Sequence, residues 1–344
     1  MENKIAIVIG VSGMDGETAT RFLLNKNYKV ISTYRRNTQI LENELYTKFN
    51  YHNNLKLQFC DINDRYSVDS LFKNTLKDYG KIDEIYLLAA QSHVGKSFQS
   101  PEQTVLTNGM SAYYFLENIR ILTPTTKIYF AATSELLGGD PKRCPFDENS
   151  VFECRSPYSI GKELAVRWIE YYKQTYNIFG SYGILFNHSS CLRNKDFFIR
   201  KVTNTAARIA IGKEQNISLG NINFYRDEHW SDFGVEAMWK ILQLDNPDKF
   251  IICRGECFHG EQFLDTTFNY FNLDWKKYVK LDKDLLRPNE VIKLVGNPQK
   301  AIDKLHWKPN RMPFKDHIEL MCKYDYELES DKKPILPNVF ELYP

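Results

Sequence analysis

No apolar run in the 344-residue chain approaches the ~18 residues of a membrane-spanning helix, and the mean hydropathy is −0.46. Membrane insertion is therefore not expected. Charge of one sign is also missing: 45 Lys and Arg face 43 Asp and Glu, a formal balance of +2. A protein that binds nucleic acid through its phosphates would need a large positive excess, so that class is set aside. Cysteine is present seven times, an odd number in a long chain, which argues against a disulfide framework. Cys253 and Cys257 stand as a lone Cys-x-x-x-Cys without a second pair, so no metal is expected. Repeats and low-complexity tracts are absent. The opening Met1-Glu2-Asn3-Lys4 has neither the apolar core nor the cleavage site of a signal peptide, and a cytoplasmic location is expected.

What is present is a core-forming composition, 43% hydrophobic and 14% aromatic. At ~150 residues per domain it makes one large domain or two small ones. Short β-rich runs alternate with helical patterns through the first half. Strands are expected at 5–9, 28–34, 55–59, 84–88, 127–131 and 181–186. Helices are expected at 18–26, 68–79, 101–120 and 158–176, then at 198–211, 233–242 and 261–271. This alternation predicts an α/β fold, a doubly wound parallel sheet with helices on both faces. The later half loses the steady period and reads as a smaller C-terminal substrate-binding lobe. The expected division is 1–186 with some later segments returning to it, 187–330, and a Pro-broken tail over 331–344 read as a mobile terminus.

Gly10-Val11-Ser12-Gly13-Met14-Asp15-Gly16 lies between the first strand and the first helix. Glycines there let backbone approach a pyrophosphate, and the helix start offers free N–H groups to it. The second strand ends in Tyr34-Arg35-Arg36-Asn37, with guanidiniums where an NAD-type fold carries a carboxylate. That favours NADP, whose 2′-phosphate suits Arg35 and Arg36. Asp61, after the third strand, could accept from the adenine amino group or cap the next helix.

Tyr158-Ser159-Ile160-Gly161-Lys162 places a phenol and an ammonium four apart on one helical face. The ammonium favours the phenolate, which can then remove a hydroxyl proton near neutral pH. Thr133-Ser134-Glu135 follows the fifth strand, where a parallel sheet binds ligands. Thr133 can hydrogen-bond the hydroxyl that Tyr158 deprotonates. Glu135 is the more telling residue, because a carboxylate there serves an enzyme that takes a proton from carbon.

These residues make the chain resemble the GDP-mannose 4,6-dehydratase family, within the extended short-chain dehydrogenases/reductases of Rossmann type. The matching phrases include the Gly10–Gly16 loop, Tyr34-Arg35-Arg36, Leu88-Ala89-Ala90-Gln91-Ser92-His93-Val94 and Thr133-Ser134-Glu135-Leu136. Arg155-Ser156-Pro157-Tyr158, Leu185-Phe186-Asn187-His188, Val235-Glu236-Ala237-Met238-Trp239, Arg287-Pro288-Asn289-Glu290-Val291 and Leu305-His306-Trp307-Lys308-Pro309 continue the series. The resemblance implies a redox-neutral elimination with NADP. Tyr158 takes the 4-OH proton as C4 is oxidised, Glu135 removes the C5 proton and helps the 6-OH leave, and the hydride returns to C6. It also implies cofactor contacts from Gly10, Ser12, Gly13, Met14, Asp15, Gly16, Arg35, Arg36, Asp61, Ile62, Leu88, Ala89, Ala90, Gln91, Tyr158, Lys162 and His188. Substrate contacts are implied for Ser92, Glu135, Asn187, Arg193, Lys201, Leu219, Arg226, Arg287 and Glu290. A homo-oligomer, dimer or tetramer, is expected from the relatives.

The chain departs from the family in three places, one of them the stretch Asn272 to Lys283, which looks shortened. Asn187-His188-Ser189-Ser190-Cys191-Leu192-Arg193-Asn194 stands where Asn-His-Glu-Ser-Pro-Arg-Arg-Gly is usual, and Glu228-His229-Trp230 replaces Trp-Gly-His. These positions read sugar and nucleotide, so GDP-manno-heptose competes with GDP-mannose as substrate. An NADP-dependent sugar-nucleotide 4-oxidase, epimerase or reductase is the alternative enzyme. A non-catalytic NADP-sensing protein is the alternative of another class.

Overall fold

The computed structural model describes residues 3–35, 39–286 and 288–344. In chain order the early elements are β1 (Ile5–Ile9), α1 (Met14–Asn25), β2 (Lys29–Tyr34), α2 (Gln39–Lys48), β3 (Leu55–Phe59), α3 (Arg65–Tyr79) and β4 (Glu84–Leu87). Next come α4 (Val94–Ser97), α5 (Pro101–Val105), α6 (Ser111–Leu122), β5 (Lys127–Thr133), α7 (Pro157–Tyr176) and β6 (Gly180–Leu185). They are followed by β7 (Asn187–Ser189), α8 (Phe198–Ala210), β8 (Ile217–Leu219), β9 (Tyr225–Trp230), α9 (Ser231–Leu242) and β10 (Lys249–Ile252). The chain closes with β11 (Cys257–His259), α10 (Gly260–Tyr270), β12 (Val279–Leu281), β13 (Lys293–Leu294), α11 (Gln299–Leu305), α12 (Phe314–Glu329) and α13 (Val339–Leu342).

The chain divides into two compact units. The first holds residues Met1–Leu136, Val151–Leu185 and Val235–Phe250, and the second Leu137–Ser150, Phe186–Gly234 and Ile251–Pro344. The main sheet has seven strands in the order β10-β6-β5-β4-β1-β2-β3. The pairings β1–β2, β1–β4, β4–β5, β5–β6 and β2–β3 are all parallel. This is the doubly wound α/β architecture that the alternation predicted, and strand order reverses between β1 and β4, where such sheets take their ligands. β1 and β4 are buried along their whole length, so β1 reads as an unbroken apolar run and β4 as one after the buried Glu84 that opens it.

In the second unit, β9 runs between β11 and β13 and also pairs with β7. Its core gathers Val202, Ala206 and Ile209 of α8 with Leu264 and Phe268 of α10. Beside it sits a buried ionic cluster. Asp325 of α12 accepts from Arg200 Nε at 2.8 Å, Thr203 Oγ1 at 2.7 Å and Asn204 Nδ2 at 3.2 Å, while Arg200 Nη1 also donates to the Cys191 carbonyl. Both charges are desolvated, so removing one leaves the other unpaired. Asp325→Asn is expected to cost about 3 kcal/mol, read as a lower urea midpoint with unchanged slope.

The C-terminal tail corrects the mobile-terminus expectation. Val339 is fully buried, Phe340 packs edge-on against Phe233 at 5.8 Å, and Tyr343 donates to Asp316 at 2.9 Å. Residues 332–338 have no regular secondary structure, and the apolar side chains after them anchor the end.

Candidate functional site

The Gly-rich loop leaves β1 with Gly10 at φ +102°, and its backbone N–H groups donate to Thr33. A Cβ on Gly10 would lie 3.0 Å from Ala89 Cβ, and one on Gly16 would lie 2.0 Å from the Gly10 carbonyl oxygen. Gly13 is the N-cap of α1, and Ser12 and Gly13 are exposed while Met14 is buried. The first helical turn therefore rests directly on the loop, with acidic Asp15 and Glu17 in it. Such a side-chain-free cradle at a helix start fits a dinucleotide pyrophosphate. Gly16→Ala must displace the loop backbone, and misplacing the cofactor by about 1 Å is expected to cut turnover roughly 100-fold, measured as the rate of water loss from GDP-mannose.

Of the two arginines read for the 2′-phosphate, Arg35 is exposed directly after β2, and Arg36 lies outside the described residues. Asp61 accepts from the backbone N–H of Asn63 at 3.0 Å, whereas α3 is capped by Asp64. The capping alternative for Asp61 thus falls to its neighbour. Ile62 is buried. Beyond β4, Leu88, Ala89, Ala90 and Gln91 are half-buried and Ser92 is exposed.

Sequence reasoning passed over Asn108. Its Oδ1 accepts from Gln91 N at 2.8 Å and its Nδ2 donates to Gln91 O at 3.1 Å, so one side chain fixes the loop after β4 from both sides. Asn108 belongs to a π-helical turn, Leu106–Met110, that interrupts the single helix expected over 101–120. Nothing in the sequence singles it out, because its burial and its bond to Gln91 arise only in the fold.

Thr133 ends β5, and Glu135 sits in the 3-10 turn Ser134–Leu137 that follows. The Glu135 N–H donates to Thr133 Oγ1 at 3.2 Å, and Glu135 is half-buried. Ser156 caps α7 through a reciprocal capping box with Ser159, and Pro157 opens the helix. Tyr158 and Lys162 follow in the first two turns, at 9% and 3% exposure. Lys162 Nζ donates to the Ala131 carbonyl of β5 at 2.8 Å and stands 6.0 Å from the Tyr158 ring centre. That tether holds the start of α7 against the strand end that carries Thr133 and Glu135. Burial pushes the Lys162 ammonium down to about 7, with the Asp15 carboxylate opposing the shift.

The second unit carries the remaining candidates. Asn187 is exposed at the start of β7, and His188 Nδ1 lies 2.8 Å from the Phe186 carbonyl. Arg226 donates to Val291 O at 2.7 Å and pairs with Glu290 at 3.4 Å. Lys201 Nζ donates to Ser218 O at 2.7 Å, beside buried Leu219. Arg193 stacks over Phe197 at 3.7 Å, and Arg287 lies outside the described residues.

A family model described as GDP-mannose 4,6 dehydratase matches residues 7–321. GDP-mannose 4,6 dehydratase 2 of Arabidopsis thaliana is 37% identical over 342 residues, covering 97% of this chain and 90% of that protein. The Homo sapiens GDP-mannose 4,6 dehydratase is 35% identical, with coverage of 94% and 92%. The Vibrio cholerae GDP-mannose 4,6-dehydratase is 34% identical, with coverage of 89% and 90%. Among solved structures, dTDP-glucose 4,6-dehydratase from Bacillus anthracis in complex with NAD superposes with a TM-score of 0.81 at 17% identity, covering 96% and 98%. The UDP-glucose 4-epimerase of Thermotoga maritima with UDP-glucose gives 0.81 at 20%, covering 95% and 99%. The structures speak for the fold, and the sequence matches, spanning nearly the whole chain, place this protein in the GDP-mannose 4,6-dehydratase family.

Proposed function

We propose that this enzyme converts GDP-mannose to its 4-keto-6-deoxy derivative by redox-neutral loss of water, using NADP in preference to NAD. The carrying observation is the Glu135 carboxyl group in the turn after β5, two residues past Thr133, at the strand to which Lys162 is tethered. When bound, the nicotinamide dinucleotide supplies a hydride store, filled from C4 and emptied to C6. Tyr158 takes the proton of the sugar 4-hydroxyl, and Thr133 hydrogen-bonds that hydroxyl and holds it in place. Protonated Lys162 favours the Tyr158 phenolate. The 4-ketone acidifies C5–H, and Glu135 removes that proton because the developing charge spreads into the carbonyl. The same carboxyl group then protonates the departing 6-hydroxyl, and the proton taken up by Tyr158 returns to C5 as the hydride reaches C6, so that only water is lost.

Exposed Arg35, in a stretch without a carboxylate, supports the NADP preference. In the second unit Arg193, Lys201 and Arg226 with Glu290 would hold the GDP moiety, and Asn187 the diphosphate or sugar. Guanidiniums suit a pyrophosphate because their planar forks match its oxygens. The same reading makes the enzyme a cytoplasmic homo-oligomer, testable by light scattering.

The deciding experiment incubates the purified protein with GDP-mannose and, separately, GDP-manno-heptose. Mass spectrometry should record loss of one water from GDP-mannose with no net change in NADPH absorbance. Loss of water from the heptose alone would move the substrate assignment. Stoichiometric NADPH build-up without dehydration would establish the 4-oxidase alternative.

A further inference from the structure

Gly161 lies between Tyr158 and Lys162 on α7, and the helix itself gains nothing from it. Alanine propagates a helix better than glycine, and the backbone here adopts no positive φ that would call for one. Space accounts for the glycine. A Cβ on Gly161 would stand 3.0 Å from Asn108 Cβ, 3.1 Å from Val105 Cα and 3.3 Å from the Thr104 carbonyl oxygen. Two of these three atoms are backbone, so no change of rotamer relieves the crowding. The fit is reciprocal. A Cβ on Gly109 would stand 2.7 Å from Leu164 Cδ2 and 3.0 Å from Leu164 Cγ. Each segment thus gives up a side chain where the other projects, and α7 interlocks with the stretch 104–109.

The same stretch holds the loop after β4. Gln91 Nε2 donates to Thr104 Oγ1 at 3.3 Å, while Asn108 binds the Gln91 backbone N–H and carbonyl at 2.8 and 3.1 Å. Gln91 in turn braces the next turn of the loop: its Oε1 accepts from His93 N at 2.6 Å and its Nε2 donates to His93 O at 3.2 Å. Thr104 and Asn108 are fully buried, so water does not compete for these bonds.

We propose that Gly161 is a positioning residue, which sets Tyr158 and Lys162 at a fixed spacing from the loop that borders the dinucleotide. The stretch 104–109 is the shared support: it carries the Gln91 loop by hydrogen bonds and α7 by the glycine interlock. This rests on the reading of Tyr158 and Lys162 as the proton-transfer pair and of residues 88–91 as cofactor contacts. Proton and hydride transfer from one carbon need both partners in place together, so a small displacement of α7 against the loop is costly.

The test is Gly161→Ala. The kcat for water loss from GDP-mannose is expected to fall about tenfold with KM changed less than about twofold. The Kd for NADPH, read by fluorescence titration, should rise about fivefold. An ordinary helix glycine would behave in the opposite way: alanine would raise the urea midpoint and leave kcat and Kd alone, and that result would overturn the proposal. Asn108→Ala keeps the Cβ that faces Gly161 but drops both bonds to Gln91, and should weaken NADPH binding about tenfold. With the loop already released, adding Gly161→Ala should weaken it by less than about twofold more. Losses that simply multiply would mean that loop and helix are set independently, and would sink the idea. If Gly161→Ala does not fold, Gly109→Ala presses on the same interlock through Leu164. NADPH affinity should then drop, and Leu164→Ala in the same chain should recover most of it; no drop, or no recovery, counts against the proposal. A wild-type protein that binds NADPH but leaves GDP-mannose intact would remove the dehydratase reading alone, since the NADPH titrations still judge Gly161.

Discussion

Glu135→Gln is expected to cut dehydration of GDP-mannose by about 1,000-fold or more while NADPH binding stays within about twofold of wild type. The amide keeps the size of the side chain and the backbone bond from Glu135 N–H to Thr133. It cannot accept the C5 proton, nor hand one to the departing hydroxyl. Two proton transfers are thus lost at once, which is why the effect should reach the upper range for general acid–base catalysis. Exchange of C5–H with deuterated water separates the steps: it should vanish in the variant even where C4 oxidation survives. Undiminished turnover would remove Glu135 from the reaction, and turnover lost together with NADPH binding would make it a structural residue.

Lys162→Met should abolish activity and yet make the protein more stable. The folded structure buries this ammonium and lowers its pKa from 10.5 to about 7. Below about pH 7 folded and unfolded chains both carry the proton, so the folded state bears the full cost of a buried charge. Between about 7 and 10.5 the unfolded chain binds more protons than the folded one, and wild-type stability rises with pH. Methionine carries no such penalty. The variant's advantage is therefore expected to be a few kcal/mol at pH 6 and to shrink as pH climbs toward 10, measured as denaturant midpoints across pH. The lost bond to Ala131 offsets part of the gain. An advantage that grew with pH would mean that Lys162 is not desolvated as described. A Tm equal to wild type at every pH would mean the same.

The parallel sheet was legible because its strands are short and mark themselves by pattern: β1 as a wholly buried aliphatic run, β3 as an alternating edge strand. Ile5–Ile9 and Leu55–Phe59 fall where the pattern puts them. The edges were less legible, each for a local reason. Helix α1 begins at Met14 rather than Thr18, since the last residues of the glycine loop already form its first turn. Strand β5 runs two residues further, through Thr133, because it stays paired with β6 up to Leu185. The seventh strand, β10, is only four residues long and was not separable from the loop before it. Gly109 allows the break in the 101–120 helix: a Cβ there would meet Leu164 at 2.7 Å, a crowding visible only after α7 is in place. Of the candidate site, the Tyr158–Lys162 pair and Glu135 could be read from spacing and strand ends. Asn108 could not, because what singles it out is burial and a partner elsewhere in the chain.

The clasp between Arg200 and Asp325 spans 125 residues. A ribosome adding about 5–20 residues per second needs roughly 6–25 s to cross that interval. Through that time α8 has emerged without the helix that neutralises its arginine and covers its apolar side. The second unit can therefore close only once residue 325 has been made, and a message truncated ahead of codon 325 should yield a product that chaperones retain and proteases clear.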